Sequence, residues 1–144
     1  MTEPALLPEQ ELQDELSFYT LGLADPAFIH QHIVDAFAAQ NATPERKPIY
    51  VVFALIGLYL HLERGFTGRQ VQLAHMRLGT PRRNWIMPQL PELRGSIRVG
   101  HVLAAPPGQH RDHMIEEWCV SVWEAYRDVH GEIAAIAERE LGVS

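Results

Sequence analysis

Eight histidines in 144 residues invite a chemical question of this chain. Imidazole titrates near neutral pH and is the commonest protein metal ligand. Three of the histidines fall at or near the apolar face of a helical segment: His30, His61 and His130. One histidine from each of three converging helices would make a three-His site with open coordination positions for a divalent transition metal. The same residues suit a plainer role, in which each ring at the edge of the core donates to a carbonyl or carboxylate. Asp35 would be a further ligand or supporting carboxylate, but at 100° per residue it points roughly away from the apolar arc of its helix. A second group, His110, His113 and Glu117, has i, i+3, i+7 spacing, the kind helical metal sites use. That side of the helix lies opposite its apolar stripe, so these three face water.

Other catalytic templates are absent from the sequence. It has no glycine-rich phosphate loop, no Gly-x-Ser-x-Gly elbow, no His-Glu-x-x-His and no Glu-x-x-His pairs. Cys119 is the only cysteine, which excludes an intramolecular disulfide and a multi-cysteine zinc site. A formal net charge of −6 argues against nucleic acid as a partner, because phosphate contact needs a basic surface. The local exception is the segment RLGTPRR at 77–83, read as a solvated loop. The first 17 residues lack the charged and apolar regions of a signal peptide, so the expected location is the cytoplasm.

The elements that must position these residues follow from periodicity and punctuation. Residues 1–9 look frayed, and a first helix runs from Glu9 to about Gly22. Asp25-Pro26 reads as N-cap and first turn of a second helix reaching Asn41, with His30 and His32 on opposite shoulders of its apolar arc. Pro48 opens a central helix closed by Gly65. Between Ile49 and Leu62 it is apolar on every face, as a fully buried helix is, and at about 14 residues it is too short for a membrane span. Thr67 caps a helix to about Leu78, and residues 79–98 form a long irregular loop that Trp85, Ile86 and Met87 dock onto the core. Residues 96–100 alternate like a short strand, and 99–105 read equally well as one or two helical turns, favoured because a lone strand has no partner. One long last helix spans 109–141, with a stripe of Ile115, Cys119, Val122, Tyr126, Val129, Ile133 and Ile136, and Gly131 inside it marks a kink or a close contact. Trp118 and Trp123 are large core or interface anchors, and Glu63 with Arg64 is a local capping or ion-pair arrangement.

Three segments resemble a family of small bacterial proteins known as a domain of unknown function. The most distinctive is HQHIVDAFAAQ at 30–40, with its His, Val-Asp-Ala-aromatic-Ala and Gln. The second is Ile56-Gly57-Leu58 with Leu62-Glu63-Arg64-Gly65. The third is Arg94-Gly95, then Val102-Leu103-Ala104, then WCVSVWEAY at 118–126 with His130. Asn41 departs from the family pattern of His-Pro after the Gln, and the N-terminal cysteine pair of some members is missing. The resemblance implies a compact helical fold and singles out His30, Asp35, Gln40, Trp118, Trp123 and His130. It supplies no activity.

The reading is therefore a single all-α domain of about five helices around a buried central helix, with a homodimer as an expected assembly. Two functions are carried forward. One is a non-catalytic module that binds a small molecule or pairs with itself. The other is a metal-dependent enzyme of hydrolase or transferase type with His30, His61 and His130 as ligands.

Overall fold

The computed structural model describes residues 6–79 and 84–143. They form seven α-helices and no strand: α1 (Leu6–Gly22), α2 (His30–Gln40), α3 (Pro48–Arg64), α4 (Gly68–Gly79), α5 (Val99–Ala104), α6 (Gln109–Ala125) and α7 (His130–Leu141). A single 3-10 turn, Arg127–Val129, joins α6 to α7. The all-α architecture around a central helix is as expected. Residues 1–5 and 80–83, which include most of the basic 77–83 segment, lie outside the described residues.

The central helix is α3. Pro48 stands at its start, where a missing N–H leaves no bond unmade, and Gly65 ends it at φ 72°. A left-handed residue there lets the Phe66 N–H reach back to the Leu60 carbonyl at 3.0 Å, closing the helix end. Val51, Val52 and every residue from Ala54 to Leu60 are buried, because α2, α4, α6 and α7 pack around this helix. Leu55, Ile56, Leu58 and Leu60 meet Ile33, Ile115, Trp118 and Ile133 in one continuous core.

Three local expectations are corrected. Helix α2 begins at His30, four residues later than Pro26, because the Asp25 carboxylate instead bonds the N–H groups of Ala27 (3.0 Å) and Ile29 (3.1 Å) and folds residues 25–29 into a loop. The long last helix is broken at Tyr126. A straight helix of about 33 residues would be about 50 Å long and would overrun a domain of this size. The Tyr126 hydroxyl donates to the Ala39 carbonyl at 2.7 Å, and α7 turns back across α3 and α4. Gly131 takes no part, since a Cβ there would meet nothing within 4 Å. In the irregular segment, Trp85 and Met87 pack on the core, whereas Ile86 is 79% exposed.

That irregular segment is held by Gln40. Its side-chain amide donates to the carbonyls of Ile97 (2.7 Å) and Arg94 (3.1 Å) and accepts from the Trp118 indole at 3.0 Å. Arg94 answers with bonds to the Gln40 and Ala42 carbonyls. Gly95, at φ 97°, lies so close to Ser121 that a Cβ would sit 2.4 Å from its hydroxyl. Gln40, Trp118 and Arg94-Gly95 thus form one interlock between α2, α6 and the segment before α5.

Candidate functional site

The histidines expected to share a metal are dispersed among separate partners. His30 is paired through Nδ1 with the Thr20 hydroxyl at 2.9 Å, in the direction of α1. His130 donates from Nε2 to the Trp123 carbonyl at 2.7 Å and stacks on the Trp123 ring, 3.8 Å between centroids and 9° from parallel. That carbonyl also accepts the Tyr126 N–H at 3.0 Å, so His130 is a second donor to it where α6 ends. The Trp123 indole donates to Glu63 at 2.7 Å, so Glu63 reaches across to α6 and is not confined to a local pairing with Arg64. Among the described residues, no group of three or more His, Cys, Asp or Glu side chains is placed to hold a metal ion. His113 and Glu117 are 3.8 Å apart and both exposed, as their side of the helix required.

His61 belongs to a different constellation. Its Nδ1 bonds the Phe66 carbonyl at 2.9 Å and its Nε2 bonds Glu116 Oε1 at 2.7 Å. Both partners are acceptors, so the ring donates from both nitrogens when it is an imidazolium facing a carboxylate. Burial opposes that charge, but the bonds to Glu116 and to the Phe66 carbonyl outweigh it and raise the His61 pKa. The hydrogen bond from His61 in turn holds Glu116 below the usual carboxylate range. The ring of His32 lies flat on that of His61, with centroids 3.6 Å apart and planes 20° from parallel. Burial and the positive charge of His61 push the His32 pKa down to about 4, so His32 is a neutral imidazole at physiological pH.

His32 is 6% exposed, and its Nδ1 is buried without a hydrogen-bond partner. With Nδ1 sealed, the Nε2 edge is the side that meets the groove His32 lines. This groove, of about 310 Å³, is bounded by Asp25, Ile29, His32, His61, Phe66 and Glu116, together with the Thr67-Gly68 start of α4.

Its rim is two loops sewn together. The Arg69 N–H donates to the Ala27 carbonyl at 2.8 Å. The Phe28 carbonyl presses so closely on Gly68 that a Cβ there would lie 1.8 Å from it. Phe28 itself sits at φ 59°, a left-handed conformation that strains a bulky residue and is held by the Asp25 and Gly68 contacts. On the other loop, Thr67 and Gln70 cap α4 reciprocally, each side chain accepting from the other's N–H at 3.2 and 2.9 Å.

Below the groove lies a second row, one helical turn along each of the same three helices. Asp35 follows His32 on α2, Gly57 precedes His61 on α3, and Cys119 follows Glu116 on α6. Asp35 is buried, contrary to its expected outward direction, because α2 is covered by α3 on one side and α6 on the other. Its carboxyl fills the space a Cβ at Gly57 would occupy, 2.0 Å from Oδ2. Complete burial drives its pKa well above the usual carboxylate range, against one bond from Gln31 at 3.1 Å. Cys119 is an inert thiol: burial raises its pKa, and its Sγ contacts the His32 carbonyl at 3.7 Å.

Comparison with known families adds one match. A model for a family of unknown function, DUF5946, covers residues 10–127. The chain belongs to that family. The matched segment holds every groove residue named above and the row beneath it, while His130 and α7 lie beyond it. Membership carries no activity, since the function of the family is unknown. Neither the curated proteins nor the solved structures contain a match to the chain.

Sequence reasoning singled out His61 and expected His30 and His130 beside it, whereas the side chains its ring meets are His32 and Glu116. His32 stood on the shoulder of the apolar arc of α2 opposite His30 and was not among the three histidines expected to share a site. The signal that would have found it is the wider set His32, Asp35, Ala36 and Ala39, which recurs at i, i+3, i+4 and i+7 and is buried in the fold.

Proposed function

We propose that this protein is a non-catalytic binding module whose site is the groove between α2, α3 and α6. The observation that supports this is the edge of His32. It belongs to a nearly buried, neutral ring that lines the groove, so a group entering the groove can reach it, while Nδ1 is sealed beneath. The groove has the size and the apolar walls of a site for a small molecule, with a few polar atoms at one end. The His61–Glu116 pair suits binding better than proton transfer, because both ring nitrogens of His61 are engaged and neither is open to a substrate. A metal-dependent enzyme built on His30, His61 and His130 would require all three to leave their present partners. Fragment screening with ¹⁵N-resolved NMR tests the reading: binders should shift the amides of Ile29, Phe66, Thr67 and Gly68. Hits clustering elsewhere, or one equivalent of a transition metal lost in a His130→Ala variant, would sink it.

Self-association is the second reading, supported by one surface. Phe18 is 84% exposed and Leu21, one turn further along α1, is 56% exposed. An apolar pair of this kind on an outer helix suits an isologous contact between two copies. Sedimentation of wild type and a Phe18→Glu variant decides it. A dimer lost in the variant supports this reading, and a wild-type monomer at 100 µM protein removes it.

A further inference from the structure

The atoms that the groove leaves unengaged define a head group. Glu116 uses Oε1 on His61, which leaves Oε2 as a half-exposed acceptor. Both donors of His61 are consumed, and the Asp25 oxygens already accept from Ala27 and Ile29. His32 is neutral and carries one proton. An orphaned buried N–H is rarer than an orphaned lone pair, so the sealed Nδ1 keeps the lone pair and the proton resides on Nε2, at the groove. The mouth therefore places a donor from α2, His32 Nε2–H, beside an acceptor from α6, Glu116 Oε2. The Glu116 carboxylate bonds the very ring on which His32 is stacked, which keeps donor and acceptor in one neighbourhood.

We propose that the groove takes a neutral, flat ligand with a carboxamide-type head, whose carbonyl accepts from His32 Nε2 and whose N–H donates to Glu116 Oε2. Primary amides, lactams and the amide edge of a nucleobase share that chemistry. The body of the ligand lies along Ile29 and Phe66, the apolar walls. An anion meets the Glu116 carboxylate, and a cation bearing only donors leaves the His32 N–H without an acceptor. This inference rests on the groove being a binding site and adds the class of ligand.

Three probes of one shape separate the outcomes: benzamide, benzamidine as the cation, and benzoate as the anion. Each is titrated into the full chain at pH 7.5 while the amides of Ile29, Phe66, Thr67 and Gly68 are followed by NMR. Benzamide is expected to bind at least fivefold more tightly than either ion. His32→Phe, which keeps the stack and removes the donor, and Glu116→Ala, at a half-exposed position, should each weaken benzamide about tenfold. The ¹⁵N shifts of the free protein should show the His32 proton on Nε2. If benzamidine or benzoate is preferred at the same amides, the groove is a binding site and the head-group assignment is wrong. If none of the three shifts those amides, both the assignment and the binding reading fall. Should His32→Phe fail to fold, Glu116→Ala and the tautomer measurement decide the matter alone.

Discussion

At the scale of single residues, the groove consists of two imidazoles forced into different charge states. His61 is raised and His32 lowered, although their rings touch. A ring whose folded pKa is raised adds stability that is present below its unfolded value and lost as pH rises through the folded one. Rings whose folded pKa is lowered act oppositely: the unfolded chain takes up the proton first, so stability falls on acidification below about 6.5. His30 and His75 are lowered by burial, as His32 is. Asp35, raised by its burial, opposes them by one proton on the acid side and joins His61 in losing stability as pH rises. Chemical denaturation from pH 4 to 9 should therefore give a maximum near pH 6.5, and stability still climbing through pH 8 would contradict these assignments. By NMR, His32 should titrate near pH 4 and His61 above the ordinary 6.5. Glu116→Gln should lower the His61 pKa, since it removes the charge that the ring faces.

Gln40 is the residue that the fold can least spare among the polar side chains. It is 4% exposed and joins two loop carbonyls to the Trp118 indole. Replacing it with Ala strands all three groups, and each stranded buried group costs about 1–3 kcal/mol. Gln40→Ala is expected to lose about 3 kcal/mol or more by urea denaturation, with amide exchange rising first at residues 94–98. A loss below 1 kcal/mol would mean the segment is held by something else.

Among the elements, the decisive contact is between α2 and α3. Gly57 lets α2 come close enough for the Asp35 carboxyl to lie against the α3 backbone. Asp35 is buried, so its carboxyl can make way only by repacking, and Gly57→Ala is expected to destabilise by about 2–3 kcal/mol, as overpacked cores do. In a double-mutant cycle, adding Asp35→Ala should recover part of that loss, since the small side chain vacates the space. Strict additivity would show that the clash lies elsewhere. The break between α6 and α7 is the other element-level feature. It lets His130 fold back onto the Trp123 ring and donate to the Trp123 carbonyl. His130→Ala should cost stability, about 1–2 kcal/mol, without touching the groove.

At the scale of the molecule, the seven helices of the described residues enclose one apolar core, and the groove opens where α2, α3 and α6 meet. Among the described residues no helix is long and apolar enough to cross a membrane, as the length of the apolar run in α3 anticipated. The exposed apolar side chains of α1 lie on a different helix from the groove-bearing ones. Phe18→Glu should therefore change assembly and leave groove binding intact, and a joint loss of both would show that the two surfaces are coupled.

The sequence by itself determined what depends on neighbours along the chain. Proline and glycine punctuation placed both ends of α3, the all-round apolar run made it the central helix, and the 3.6-residue period found the buried stripe from Ile115 to Ile133. The stretch around residue 98 was ambiguous between a short strand and a helical turn, and the absence of a partner strand favoured the helix that forms. Only the tertiary structure decided what depends on groups far apart in sequence. Asp35 read as a surface residue because helical direction is measured against one neighbour, whereas α2 has neighbours on two sides. The last helix read as continuous because no breaker stands at 126, and the turn there answers to the Ala39 carbonyl 87 residues away. His61 was recognisable as a residue of interest, but its partners are His32 and Glu116, the latter 55 residues distant. Periodicity states which face a side chain is on. Which faces meet, and so which histidines share a site, is set by how helices pack, and that information is not local.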